Sequence, residues 1–301
     1  MPKEMIYQKN ITMGAEFADY SIKEYLQKIY LPKHLKGYLR QERQFKLNGV
    51  VSSTAAVLKA GDSLTLSFEQ SAFGEAQGPY PANPGKRVEL VYEDDDLVVA
   101  VKPAGMKMHP HSPTEHDTLL NYLTADFNQR GCQSAGQLAQ AFMVHRLDRA
   151  TSGLVIVAKN PIVVPILNRL IKEKRIQRRY FAKVVGEFEE AAGVFDQAIG
   201  AHPTDERLRW VSQDGKAART SYWLRAEEVH DGQKQSLVEL QLETGRMHQI
   251  RVHLAAAGHP ILGDEWYGGL PVNRLYLHSE WLLLVLPFTQ EKIKVELPPN
   301  W

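Results

Sequence analysis

The chain has 301 residues, 44% hydrophobic and 24% charged, an ordinary globular composition with room for one large domain or a large and a small one. Its 36 Lys and Arg against 35 Asp and Glu exclude a whole-molecule field as the means of holding a polyanion, so a nucleic acid would have to be met by local patches. The single cysteine, Cys132, excludes an internal disulfide and a cysteine-rich zinc site; no apolar run approaches the ~20 residues of a membrane span, and MPKEMIYQKN lacks the apolar core of a signal peptide, so a cytoplasmic location is expected.

In chain order, IKEYLQKIY (22–30) has helical spacing of Ile22, Tyr25, Leu26 and Ile29, and Pro32 stops it; KHLKGYLRQ (33–41) reads as a second helix. FKLNGVV (45–51) places an Asn-Gly turn between apolar flanks, and GDSLTLSF (61–68) alternates with period two. A small unit over 1–72 is therefore expected, helix, helix, then short strands. The aperiodic, Gly/Pro-rich stretch at 73–86 reads as a linker to a larger domain over 87–301. There, two β-rich runs, 88–92 and 97–101, flank the acidic turn Glu93–Asp96 as a hairpin, and Pro103 ends the second. Asp117 or Thr118 can cap a helix through Leu119, Leu120 and Leu123. The unbroken apolar run 154–158 predicts a strand buried on both faces. Asn160-Pro161 opens a helix with Ile162, Ile166 and Leu170 on its buried stripe, its regular part delayed by Pro165. Strand-like runs follow at 180–185, 219–226, 236–243 and 282–286. Without βαβ alternation, this order predicts an α+β fold with a mixed, mainly antiparallel central sheet and flanking helices.

The stretch HRLDRATSGLVIVAK (145–159) enters that buried strand through charge. Asp148 lies between Arg146 and Arg149, whose opposite charge keeps a carboxylate ionised, as a nucleophile or base requires. A turn-capping Asp is the plainer alternative. In TGRMHQIRVHLAAAGHPILGDEWYG (244–268), Thr244-Gly245 can start a helix that Gly258 ends, carrying Arg246, His248, Arg251 and His253. His248 and His253 are five apart, where a helical metal pair needs four, so a guanidinium offered to a carboxylate or phosphate is the better reading. Five of the eight residues from Lys172 to Arg179 are basic, including Lys174, Arg175, Arg178 and Arg179, and Tyr180 begins the next strand. Cations beside an aromatic suit phosphates and a stacked base, although a solvated helix end would look the same. His109, His111 and His116 sit on a Pro-rich loop without cysteines and do not suggest a metal. No phosphate-binding loop, dinucleotide fingerprint or Gly-x-Ser-x-Gly elbow occurs.

HRLDRATSGLVIVAK resembles the signature of the RluA-type pseudouridine synthases, which isomerise uridines in ribosomal or transfer RNA. VYEDDDLVVAVKPAGMKMHP (91–110), RRYFAKVVG (178–186) and the 244–268 stretch resemble that family's other blocks, in the right order. The resemblance implies a pseudouridine synthase fold and an isomerase that needs no cofactor and no metal. It implies that Asp148 is the nucleophile, that Arg251 pairs with it, that Tyr180 contacts the target base, and that Arg146 fills the space a flipped uridine leaves. Arg149, Lys174, Arg175, Arg178, Arg179, Arg246 and His248 are then expected to contact RNA. Residues 10–70 resemble more loosely a small RNA-binding domain often fused ahead of such enzymes, with LPKHLKGYLRQ where a Ser/Arg-rich helix is usual. A monomer with RNA as its partner is expected. A protein that keeps the fold and binds RNA without turnover is the competing reading.

Overall fold

A computed structural model describes residues 5–74 and 80–301; residues 1–4 and residues 75–79 of the linker expected at 73–86 lie outside the described residues. The N-terminal unit comprises β1 (Ile6–Thr12), α1 (Ile22–Lys28), α2 (Lys33–Gln41), β2 (Phe45–Leu47), β3 (Val50–Val51) and β4 (Ser63–Glu69), with sheet order β1-β4-β2-β3. Strand β1 had no counterpart in the sequence reading. Helix α1 starts at a capping box, in which the Ser21 hydroxyl accepts from Glu24 N–H and the Glu24 carboxylate accepts from Ser21 N–H. Asn48 and Gly49, both at positive φ, form the turn between β2 and β3, as the Asn-Gly pair predicts.

The larger part contains β5 (Leu90–Glu93), β6 (Leu97–Lys102), α3 (Leu119–Arg130), the short β7 (Gln133–Ser134), β8 (Gln137–Leu138) and β9 (Phe142–Met143), β10 (Ser152–Ala158), α4 (Val163–Lys172), β11 (Gln177–Val185), β12 (Ala192–Phe195), β13 (Ile199–Ala201), β14 (Arg209–Val211), β15 (Thr220–His230), β16 (Gln233–Leu242), α5 (Gln249–Ala256), β17 (Leu277–Val285) and β18 (Lys292–Glu296). The main sheet runs β12-β15-β16-β11-β17-β10-β6-β5, with β18 added on β17 and β9 on β10. Among the described strands of this sheet only β10 and β17 pair in parallel, so it is mixed and mainly antiparallel, as expected. At the β5–β6 turn one Asp94 carboxylate oxygen accepts from Asp96 N–H and Leu97 N–H, which explains the acidic run without a metal.

Every residue of β10 is buried. Leu154 and Ile156 face one apolar core with α4, while Val155 and Val157 face another with α3 and α5. A strand flanked on both sides needs no polar alternation. Helix α4 begins where the Asn160 side chain accepts from Ile162 N–H and Val163 N–H. Pro165 is its third residue, within the first turn where the missing N–H has no helical acceptor to satisfy, so it does not delay the helix.

The N-terminal unit shares the first of these cores. Ile22, Leu26, Leu35 and Leu66 belong to the same buried cluster as Leu97, Ile156, Leu282 and Phe288. Polar ties cross the same boundary: Lys9 pairs with Asp96 at 2.6 Å, Tyr25 Oη donates to Phe288 O and Gln8 N–H to Ala135 O. The unit is thus packed on the main sheet along one face, the face away from α3 and α5.

Candidate active site

The loop 144–151 leads into β10, and three sets of bonds fix it. His145 Nε2 accepts from Ile156 N–H, and Thr151 N–H donates to Asp148 O. Gly153 has φ +112°, and a Cβ there would collide with the backbone of Ser279, so only glycine permits the parallel approach of β10 to β17. From the other side, Lys102 reaches the loop at the end of β6. It is wholly buried, and its ammonium donates to Pro103 O, Met106 O and Arg149 O at 3.0, 2.9 and 3.0 Å. Burial pulls its pKa down to about 7, opposed in part by the Asp148 carboxylate.

Arg251 comes from α5. That helix begins at Gln249, not at Thr244-Gly245, because His248 takes a left-handed conformation (φ 56°) and the preceding residues form a loop. The Gln249 side chain holds that loop, accepting from Arg246 N–H and the Thr244 hydroxyl and donating to Arg219 O and the Thr220 hydroxyl. Arg251 is 7% exposed and forms a two-pronged pair with buried Asp264, at 2.8 and 2.7 Å. Its remaining terminal nitrogen lies 3.7 Å from Asp148 Oδ2. The Trp266 and Tyr267 rings flank the guanidinium at 5.3 and 4.9 Å.

The charge beside Asp148 is therefore that of Arg251; neither Arg146 nor Arg149 pairs with it. His248 Nε2 is 4.0 Å from the same carboxylate oxygen, and its Nδ1 meets the Tyr267 hydroxyl at 2.8 Å. Burial pulls the His248 pKa below its ordinary value, with Asp148 acting in the opposite direction. Among the described residues, the Asp148 carboxylate accepts no hydrogen bond within 3.5 Å. It has a cation at hand and a free lone pair, the state a nucleophile needs.

Tyr180 lies on β11, 3% exposed, beside a bulge where its pairing with β17 skips Glu280. Burial pushes the phenol pKa up, so the hydroxyl stays protonated at neutral pH; Arg178 acts in the opposite direction. The cleft over these groups has a volume of about 530 Å³. Arg146, Asp148, Arg178, Tyr180, Arg246, His248 and Arg251 all line it. Its walls also include Asn168 and Lys172 from α4, and Leu242, Met247 and Leu277.

The other four residues expected to meet RNA are not among those lining it. Arg149 turns to Gly105 O, and Lys174 pairs with Glu243. Arg179 faces the opposite side of β11 from Tyr180, bonded to Glu239 and lying over the Trp281 ring at 4.5 Å. Arg175 is exposed beyond the cleft. Lys172 belongs to the basic strip read in the sequence, whereas Lys102, Asp264 and Tyr267 were not expected at the site. Lys102 was read only as the end of a strand, and Asp264 lay inside the GDEWYG run without being singled out. No group of three or more His, Cys, Asp or Glu placed to hold a metal, and no helix long and apolar enough to cross a membrane, occurs among the described residues.

Residues 96–256 match the family model for RNA pseudouridylate synthase. An uncharacterized RNA pseudouridine synthase, YhcT, of Bacillus subtilis is 34% identical over 261 residues, 85% of this chain and 82% of that protein. The ribosomal large subunit pseudouridine synthase D of Vibrio parahaemolyticus is 34% identical over 272 residues, 84% of this chain and 78% of that protein. The solved structure of human RNA pseudouridylate synthase domain containing 1 aligns with a TM-score of 0.59 and 28% identity, over 72% of this chain and 86% of that one.

Proposed function

The chain belongs to the RNA pseudouridylate synthase family, an isomerase acting on RNA, and from that premise we propose that Asp148 is its nucleophile and that its substrate is a uridine in ribosomal or transfer RNA. The observation that carries this reading is the unbonded Asp148 carboxylate, 3.7 Å from a fixed guanidinium, in a cleft beside buried Tyr180. A base stacked in RNA cannot reach a carboxylate so recessed; it must leave its stack, at a cost of a few kcal/mol.

In this reading the carboxylate attacks the ribose anomeric carbon or carbon 6 of the uracil, and the glycosidic bond breaks. The freed base turns in the cleft, carbon 5 bonds to the anomeric carbon, and the bond to Asp148 breaks and restores the carboxylate; the carbon-5 proton leaves, with Tyr180 beside it, and N1 takes up a proton. Every bond made to Asp148 is broken again and one proton is lost for one gained, so no cofactor is needed. Arg251 offsets the charge on Asp148 before and after attack, held in place by Asp264. Arg146, Lys172, Arg178 and Arg246 supply the positive walls a phosphodiester backbone needs, in a chain whose net charge supplies none.

The unit at 1–72 acts in this reading as an RNA-binding module joined through 73–86 to the catalytic domain at 87–301, in a cytoplasmic monomer. The test is to map pseudouridines in ribosomal and transfer RNA from cells with and without the protein. Loss of one or a few defined sites is expected; an unchanged map would contradict the reading.

A further inference from the structure

Trp266 is 49% exposed and, without lining the cleft itself, touches two residues that do, Arg251 and His248. Its ring lies 5.3 Å from the Arg251 guanidinium and packs edge-on against His248 at 5.5 Å; both of those residues contact Asp148. The backbone here is fixed. The Trp266 backbone N–H donates to the Asp264 carboxylate, the partner of Arg251, and the turn around it is closed by two glycines. A Cβ at Gly263 would collide with the Arg274 carbonyl, and one at Gly269 with the Ile261 carbonyl. Neither glycine can be replaced without moving the turn, so the backbone that carries the indole is held beside Arg251 and His248.

A half-exposed indole leaves apolar surface in water, and none of the described residues covers it. When a uridine leaves its stack, each neighbouring base loses one face of its own. An aromatic ring held at the mouth of the receiving cleft is the chemical complement of that lost face. The exposed Arg246, which lines the same cleft, gives the adjoining phosphate a cation. We infer that Trp266 is a stacking platform for a nucleobase flanking the flipped uridine, a positioning residue that holds single-stranded RNA at the cleft mouth. This rests on the proposed RNA-modifying role of the cleft.

The experiment uses the full chain and three variants, Trp266→Ala, Trp266→Phe and Trp266→Leu. Two probes are titrated in parallel, a short oligouridylate and an abasic ribose-phosphate oligomer of the same length. Loss of one base–aromatic stack weakens binding between about fivefold and 150-fold. The expected result is that loss for oligouridylate with the Ala and Leu variants, retention with Phe, and no change for the abasic oligomer with any of them. On an RNA that the wild type modifies, KM should rise by a similar factor with the Ala and Leu variants and stay close to the wild-type value with Phe. Equal weakening for both probes, or no weakening for either, overturns the inference. If the Ala variant does not fold, Phe against Leu keeps the contrast of ring against no ring. Failure of the functional reading is a separate result: the wild type would then modify no RNA, whatever the binding data show.

Discussion

Replacing Asp264 by asparagine keeps the side-chain shape and removes one charge. Arg251 is 7% exposed and Asp264 1%, so the guanidinium would be left buried with one neutral acceptor where it had a two-pronged carboxylate. Breaking one side of a buried pair costs roughly 3–5 kcal/mol, and the retained carbonyl oxygen puts Asp264→Asn near the lower end. For a domain of this size that is a fall in melting temperature of roughly 6–12 °C. The catalytic consequence follows from the 3.7 Å between Arg251 and Asp148. Without Asp264, Asp148 is the nearest carboxylate, and the guanidinium would close on it to about 2.8 Å. The nucleophile would then be bonded and displaced, and a shift of about 1 Å in a reacting group costs on the order of 100-fold. The assay is single-turnover tritium release from RNA carrying carbon-5-labelled uridine, beside thermal unfolding and RNA binding. Lower stability, about 100-fold slower release and unchanged affinity are predicted. A variant that loses stability but turns over at the wild-type rate would refute the coupling between the two carboxylates.

Other perturbations test separate parts of the account. Lys102 has a pKa near 7 when folded and about 10.4 when unfolded, so unfolding takes up a proton between those values and this group's contribution to stability rises with pH. Urea unfolding of wild type and Lys102→Met at about pH 6 and about pH 9 should show a smaller pH dependence in the variant; identical slopes would mean that the amine does not titrate there. His145, His248, His253 and His278 are all held below their ordinary pKa by burial, so the unfolded chain protonates first. Stability should therefore be full above about pH 6.5 and fall as the pH is lowered through that value, which thermal melts would detect. Tyr180→Phe keeps the ring and removes the hydroxyl; turnover should fall roughly 100-fold or more with RNA affinity retained, and equal losses in both would assign the tyrosine to binding instead. Gly153→Ala should unfold or fail to accumulate, as judged by circular dichroism, because its Cβ has no room against the Ser279 backbone.

The parts of the fold legible in the sequence were those whose cause is local. Asp94 closes the hairpin turn with its own side chain, and Asn160 caps the helix that follows it. The apolar run of β10 announced burial on both faces because no other environment accepts it. The alternation of strand β1, with Tyr7 and Ile11 buried, is interrupted by polar Lys9, whose ammonium is satisfied by distant partners, the Asp96 carboxylate and the Phe288 ring. The start of α5 was misplaced because it too depends on nonlocal contacts: the left-handed turn at His248 is tied to Tyr267, and the loop before it to Gln249 and Thr220. At the site, local chemistry pointed to the adjacent arginines as the charge beside Asp148, and only the family resemblance paired it with Arg251, 103 positions away in the numbering; Arg251 lies 3.7 Å from the carboxylate and neither neighbouring arginine pairs with it. The packing of the N-terminal unit on the main sheet is likewise nonlocal, with Tyr25 bonded 263 residues away at Phe288.

The central claim is that the Asp148 carboxylate performs the covalent step. Asp148→Asn is nearly isosteric and leaves the Arg251–Asp264 pair intact. The decisive measurement is tritium release from carbon-5-labelled uridine in RNA that the wild type modifies, with binding of the same RNA measured alongside. The account predicts release indistinguishable from background and an RNA affinity close to that of the wild type. Release at the wild-type rate would contradict it.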